Sequence, residues 1–150
     1  MTEILNLLAV VTTADWTEFH AIRKAELFDA RGRGDVYDYD HADDRTAGNT
    51  PMLLRAGNKA VGVLRVDDLG QGQAALRLLA IRRNRQRRGY GARMIALVLA
   101  QLRARGYARV VVNAAPDAVE FYKRFGFREE AWPDDHSAAS VQMALSLAGQ

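Results

Sequence analysis

The chain has 150 residues, of which 49% are apolar and 26% charged, a balance that suits one globular domain over 1–150 and excludes disordered, collagen-like and coiled-coil chains. It contains no cysteine, so disulfides, thiolate-bound zinc, iron-sulfur clusters and cysteine nucleophiles are excluded. The net charge of +3 names no partner, but 18 of the 21 basic residues are arginine, and five of these crowd into seven positions: Arg82, Arg83, Arg85, Arg87 and Arg88. The longest apolar run is only residues 94–100, and the N-terminus lacks the basic and apolar regions of a signal peptide. The expectation is a cytoplasmic protein that does not meet a membrane.

Residues 4–12 are apolar and end in β-branched side chains, which suits a strand. Asp15 reads as the N-cap of a helix over 16–30, where Trp16, Phe19, Ile22, Ala25 and Phe28 fall near helical spacing and Gly32 and Gly34 supply the stop. Residues 35–50 are polar and acidic, with Tyr37, Tyr39 and His41 interspersed, and are expected to form a surface loop or short helical turn. Strands over 52–55 and 60–66 flank Gly57-Asn58 as a tight hairpin. A connection over 67–72 leads to a strand over 73–81, in which adjacent Leu78 and Leu79 fit either a β-bulge or burial on both faces.

Residues 89–105 carry the clearest helical pattern, with Tyr90, Met94, Ile95, Leu97, Val98 and Leu102 on one face and Gly106 as the stop. A short buried strand over 110–112 follows. Pro116 opens a further helix bearing Val119, Phe121, Tyr122 and Phe125, which Gly126 ends. Residues 127–132 and 141–147 read as the last two strands. The order β-α-β-β-β-α-β-α-β-β specifies an α/β (α+β) fold, a mixed sheet with helices on its faces.

The segment 79–92 runs from a strand through the basic loop into a helix, and physically it is an anion site. Gly89 and Gly91 let the backbone approach a ligand, first-turn N–H groups lack intrahelical partners, and the helix dipole adds positive potential. The arginines add charge and bidentate donors, so a pyrophosphate would satisfy all of these groups together. The Walker pattern is absent because no Gly-Lys-Ser/Thr follows, and the dinucleotide fingerprint is incomplete. A nucleic-acid partner is not expected, since the cluster is confined to one strand-helix junction and lacks interleaved aromatics.

Gln86-Arg-Arg-Gly89-Tyr-Gly91-Ala92 resembles the Gln/Arg-x-x-Gly-x-Gly/Ala signature of the GNAT superfamily of N-acetyltransferases. Asn113-Ala-Ala-Pro-Asp-Ala-Val-Glu-Phe-Tyr122-Lys-Arg-Phe-Gly-Phe127 resembles the family's strand asparagine followed by a helix ending in Phe-Tyr-x-x-x-Gly-Phe. The resemblance implies a mostly antiparallel sheet of about seven strands, splayed at the cofactor site, with acetyl-CoA as co-substrate and no metal. It implies that backbone groups of Leu79, Ala80 and Ile81 pair with the pantetheine arm. The N–H groups of Arg87, Arg88, Gly89, Tyr90, Gly91 and Ala92 would hold the pyrophosphate, Asn113 would contact the arm, and Tyr122 would stand near the thioester sulfur.

Acetyl transfer to an amine needs a neutral amine, a polarised carbonyl and a proton for the departing thiolate. A backbone N–H near Leu79 could polarise the carbonyl, and Tyr122 could act as general acid; the competing reading of Tyr122 is a core aromatic beside Phe121 and Phe125. With no cysteine, direct transfer without an acyl-enzyme is expected. The strand over 73–81 carries no acid, only Arg77, so the general base falls to Asp67, Asp68, His41, Asp43 or water. Arg77 either binds an acceptor carboxylate or pairs with Asp67 or Asp68 across the hairpin. The acidic and aromatic residues 37–44 suit a cationic or amine-bearing acceptor of unidentified structure. The alternatives are a non-catalytic acyl-CoA-binding sensor of the same fold or transfer of another acyl group. An exposed edge near the C-terminal strands offers a surface for a homodimer.

Overall fold

The computed structural model of the protein describes residues 3–147. Strand β1 (Leu5–Ala9) leads into α1 (Thr13–Arg23). That helix starts where Thr12 Oγ1 accepts the Asp15 N–H at 3.0 Å and Asp15 Oδ2 accepts the Thr12 N–H at 3.1 Å, a capping box that satisfies two donors reciprocally. Thr12 is thus the N-cap and Asp15 the third helical residue, correcting the assignment of Asp15 as the cap. The single helix expected over 16–30 is also divided. Beyond Arg23 it passes into a π-helical turn (Lys24–Phe28) and a 3-10 turn (Asp29–Arg31), closed by Gly32 at φ +69°.

Residues between Arg33 and Asn49 form a loop with two 3-10 turns (Gly34–Val36 and Ala42–Asp44), much as expected. Strands β2 (Asn49–Ala56), β3 (Lys59–Gly70) and β4 (Gln73–Ile81) then make two hairpins. The second turn is tighter than the sequence suggested, because Gln71 and Gly72 both take positive φ, +54° and +75°, as a two-residue type I′ turn requires. The acidic residues read as a connection therefore continue the ladder, with Asp67 opposite Ala75 and Asp68 opposite Ala74. The remaining elements are α2 (Tyr90–Ala104), β5 (Arg109–Ala114), a 3-10 turn (Pro116–Ala118) running into α3 (Val119–Lys123), β6 (Arg128–Glu129) and β7 (Val141–Ser146). Strand β6 is two residues long, not six. Trp132 leaves the strand path to bury its ring beside Ala75, Val111 and Ala144, and its Nε1–H donates to Val112 O at 3.1 Å.

The seven strands form one sheet in the order β1-β2-β3-β4-β5-β7-β6. Every pairing is antiparallel except β4 with β5, which run parallel only from Gln73 opposite Arg109 to Leu76 opposite Val112. Beyond Leu76 the two strands part. A bulge helps to open them: Val63 faces Ala80 and Arg65 faces Arg77, so Leu64 is opposed by both Leu78 and Leu79. Leu78 sits at φ +56° and is 37% exposed, which selects the bulge over burial on both faces. An extra residue of this kind bends a strand and increases its twist.

Core packing follows the two faces of the sheet. Met94, Ile95, Val98 and Leu102 of α2 pack on one face against Leu54, Leu64 and Val112, while Phe19 and Ile22 of α1 pack on the other against Leu53 and Val63. Each fully buried Leu or Ile contributes about 1.5–3 kcal/mol relative to exposure. Among the described residues, no helix is long and apolar enough to cross a membrane.

Candidate active site

The basic loop is held at both ends before it reaches α2. Arg82 N–H donates to Val61 O at 2.8 Å, Gln86 Nε2 donates to Ile81 O at 2.9 Å, and Glu26 of the π-helical turn accepts the Arg83 N–H at 2.8 Å. Arg87 and Gly89 then take positive φ, +66° and +80°, turning the chain into the helix. The first helical bond runs from Arg93 N–H to Gly89 O at 3.0 Å. The N–H groups of Tyr90, Gly91 and Ala92 lie ahead of it, where helix geometry provides no internal acceptor. Two of the five arginines are tied down: Arg82 Nε donates to Ala60 O, and Arg85 reaches Tyr90 Oη at 3.1 Å. Arg83, Arg87 and Arg88 are exposed, and their guanidinium groups have no carboxylate partner among the described residues.

Below this loop a groove of about 620 Å³ runs between β4 and α3, lined by Leu79, Ala80, Ile81, Arg87, Gly91 and Tyr122 among others. It adjoins a cavity of about 600 Å³ in the splay itself, which shares Leu79 and Tyr122 and adds Arg77, Leu78 and Asn113. The Tyr122 side chain is buried, edge-on to Phe121 and Phe127, and burial pushes its phenol up to about 12. It therefore keeps its proton near neutral pH.

A third cavity, about 510 Å³, meets the splay at Phe28, Arg77 and Leu78. Its wall is a chain of alternating charges. Arg23 donates to Asp44 through both terminal nitrogens, Arg65 NH1 reaches Asp44 at 3.1 Å, and Arg65 grips Asp67 through Nε at 2.7 Å and NH2 at 3.0 Å. Arg77 Nε donates to Asp67 at 3.0 Å, while its NH1 and NH2 hold Asp134 at 2.7 and 3.1 Å. Arg65 and Arg77 are direct cross-strand partners, an arrangement of like charges that is destabilising by itself; Asp67 between them offsets it. Behind the wall, Arg23 Nε donates at 3.0 Å to Tyr37 Oη, which lies 2.6 Å from His20 Nδ1.

Residues 36–142 match the profile of the acetyltransferase (GNAT) domain family. The chain belongs to the GNAT acetyltransferases. Solved structures agree in fold. Escherichia coli ElaA superposes with a TM-score of 0.79 at 16% identity, covering 95% of this chain and 99% of that one. The ribosomal-protein-S18-alanine N-acetyltransferase of the same organism gives 0.75 at 16%, covering 98% and 96%. The PaiA N-acetyltransferase of Thermoplasma acidophilum, solved in complex with coenzyme A, gives 0.71 at 11%, covering 95% and 99%. At these identities the likeness is one of fold. No curated protein sequence matches the chain significantly.

In this GNAT domain the residues singled out from sequence divide into three groups. Leu79, Ala80, Ile81, Arg87, Gly91 and Tyr122 share the groove, and Asn113 lines the adjoining splay cavity. Arg88, Gly89, Tyr90 and Ala92 form the loop and first turn above it, and the Tyr90 side chain turns inward to Glu3 and Arg85, so only its backbone faces the loop. Of the base candidates, Asp67, His41 and Asp43 line the third cavity, whereas Asp68 closes a local turn by accepting the Gly70 N–H at 2.8 Å. Arg77 pairs with Asp67 across the hairpin, the second of the two alternatives the sequence offers, and also with Asp134. Sequence patterns do not single out Asp134, Arg23 or His20; Asp44 enters only as the end of the acidic run 37–44, and Arg65, a charge inside an apolar strand, is the other visible signal.

Proposed function

We propose that the protein transfers an acetyl group from acetyl-CoA directly to a primary amine of a small molecule or peptide. The observation that carries this reading is the adjacency of the cavities: the groove under the anion-binding turn shares Leu79 and Tyr122 with the splay, and the splay shares Arg77 and Leu78 with the third cavity. Donor and acceptor can thus approach one point from opposite sides, which is the entropic part of catalysing a two-substrate reaction.

The loop fits a coenzyme pyrophosphate, since Gly89 supplies the left-handed turn, three backbone N–H groups point out of the helix, and Arg87 lines the groove. Bound acetyl-CoA supplies an activated acyl group as a thioester. The edge of β4 beyond Leu76, having lost β5, offers peptide groups to an extended arm and an N–H to polarise the carbonyl. Tyr122 donates a hydrogen bond to the leaving sulfur. A phenol near 12 is a weaker acid than an alkyl thiol near 8.5, so its role is to stabilise the thiolate, which takes a proton from solvent as coenzyme A leaves and so balances the one shed by the amine. That proton leaves through the third cavity, where His41, Asp43 and solvent reach it; Asp67 has both oxygens committed to Arg65 and Arg77.

The same cavity supports a cationic acceptor. Its arginines are already paired to Asp44, Asp67 and Asp134, while Asp38, Asp43 and Asp135 on the wall have no arginine or lysine partner among the described residues and add negative charge. The S18-alanine enzyme also acts, by its name, on an amine. A thermal-shift titration tests the donor: acetyl-CoA at about 100 times its Kd should add about 2.7 kcal/mol of stability, and no shift would remove the reading. Free-thiol release across an amine panel tests the acceptor, with faster turnover expected for cationic amines lacking a carboxylate than for amino acids.

A further inference from the structure

Leu76 and Val112 are the last parallel partners of β4 and β5, so Arg77 and Asn113 occupy the first positions at which the strands separate. Both side chains converge on one carboxylate. Arg77 holds Asp134 with two parallel bonds, NH1 to Oδ2 at 2.7 Å and NH2 to Oδ1 at 3.1 Å, and Asn113 Nδ2 donates to Oδ2 at 2.7 Å. Asp134 comes from the connection between β6 and β7, so a third element is inserted across the vertex of the splay.

Each arm of this bridge is braced from behind. Arg77 Nε is fixed by Asp67 on β3, the guanidinium lies 5.5 Å from the Trp132 ring centroid, and Asn113 Oδ1 accepts from Gln142 Nε2 of β7 at 3.2 Å. A forked guanidinium-carboxylate pair fixes both separation and plane. With side chains only 23% and 20% exposed, the pair is screened less than a surface ion pair. The Arg77 contact, foremost, holds the Asp134 carboxyl below its ordinary range, aided by the Asn113 bond, so the bridge stays ionised at working pH. Leu78 and Leu79, next along β4, line the cavities on either side.

We propose that Asp134 is a positioning residue whose carboxylate clamps Arg77 to Asn113 and so sets the opening between β4 and β5. Its consequence for catalysis rests on the acyl-transfer reading: a fixed opening holds the acceptor cavity in register with the groove at Leu79 and Tyr122. The clamp itself does not rest on that reading.

The test is hydrogen exchange of the ligand-free protein followed by steady-state kinetics. Asp134→Asn should raise exchange of amides 77–81 and 113–115 about tenfold by local opening while leaving α2 unchanged, and Asp134→Glu should restore most of the protection. Unchanged exchange, or a uniform rise across the sheet, overturns the clamp. Asp134→Asn should also lower kcat about 10–100-fold through misalignment, with the KM for acetyl-CoA within about twofold; an unchanged kcat in an enzyme that turns over acetyl-CoA overturns the positioning role. If Asp134→Asn does not fold, Arg77→Lys, which keeps the charge but loses the fork, is read in the same way. A wild-type protein without acetyl-CoA turnover removes the acyl-transfer reading, and the exchange data still decide the clamp.

Discussion

Among the described residues, Tyr122 is the one ionisable side chain that lines both the splay and the groove beneath the basic loop. Burial among aromatic rings keeps its phenol neutral, which suits a donor to a developing thiolate and rules out a phenolate base near pH 7. Replacing Tyr122 by Phe preserves the ring contacts with Phe121 and Phe127 and removes only the hydroxyl. It should lower kcat about 100-fold and leave the Kd for acetyl-CoA within about twofold, as measured by titration calorimetry; an unchanged kcat would show the residue to be a core aromatic. This residue is legible in the sequence because it stands inside a local pattern, Phe-Tyr-x-x-x-Gly-Phe. Asp134 is not: its partners Arg77 and Asn113 lie 57 and 21 positions away, and only the folded sheet brings them together.

Elements show the same division. The strand-loop-helix unit is readable because each requirement is local, a glycine able to turn left-handed and a helix start with open N–H groups. Its arginines divide in the fold, since Arg82 and Arg85 serve the structure and Arg83, Arg87 and Arg88 remain exposed. Helix α1 departs from its apolar pattern at both ends, because a capping box moves the start by three residues and a π-helical turn replaces the last α-helical turns. That turn has a use: Glu26, Leu27 and Phe28 within it reach the three cavities. In the basic loop, Gly89 has open space where a methyl group would sit, yet its φ of +80° is a strained conformation for any L side chain. Gly89→Ala should cost about 1–2 kcal/mol in urea unfolding and weaken acetyl-CoA binding by distorting the turn. Full affinity in this variant would mean that the turn does not hold the coenzyme.

At the scale of the whole molecule, the chain of charges from Arg23 to Asp134 links α1, the 42–44 turn, β3, β4 and the β6-β7 connection, so its protonation couples to global stability. Burial opposes ionisation of Asp44, but the hydrogen bond and charge of Arg23, followed by those of Arg65, outweigh it and hold the carboxyl below its ordinary range. Asp134 is lowered chiefly by Arg77, and Asp15 is lowered to about 2, first by the Val11 N–H and then by that of Thr12. Carboxyls depressed in the folded state contribute stability that is present above their unfolded value, about 4, and is lost as pH falls through the folded value. His20 acts earlier. Burial, then Arg23, lower its pKa from 6.5, so below about pH 6.5 the unfolded chain takes up a proton that the native state refuses. Each such proton lowers stability by about 1.4 kcal/mol per pH unit. Unfolding free energies measured from pH 8 to 3 should therefore show a shallow decline starting near pH 6.5 and a steeper one below about pH 4. His20→Gln should remove the first limb and leave the second, since Asp44 and Asp134 are held down chiefly by their own arginines and Asp15 by backbone N–H groups; a profile flat down to pH 3 would mean that neither set of groups is coupled to folding.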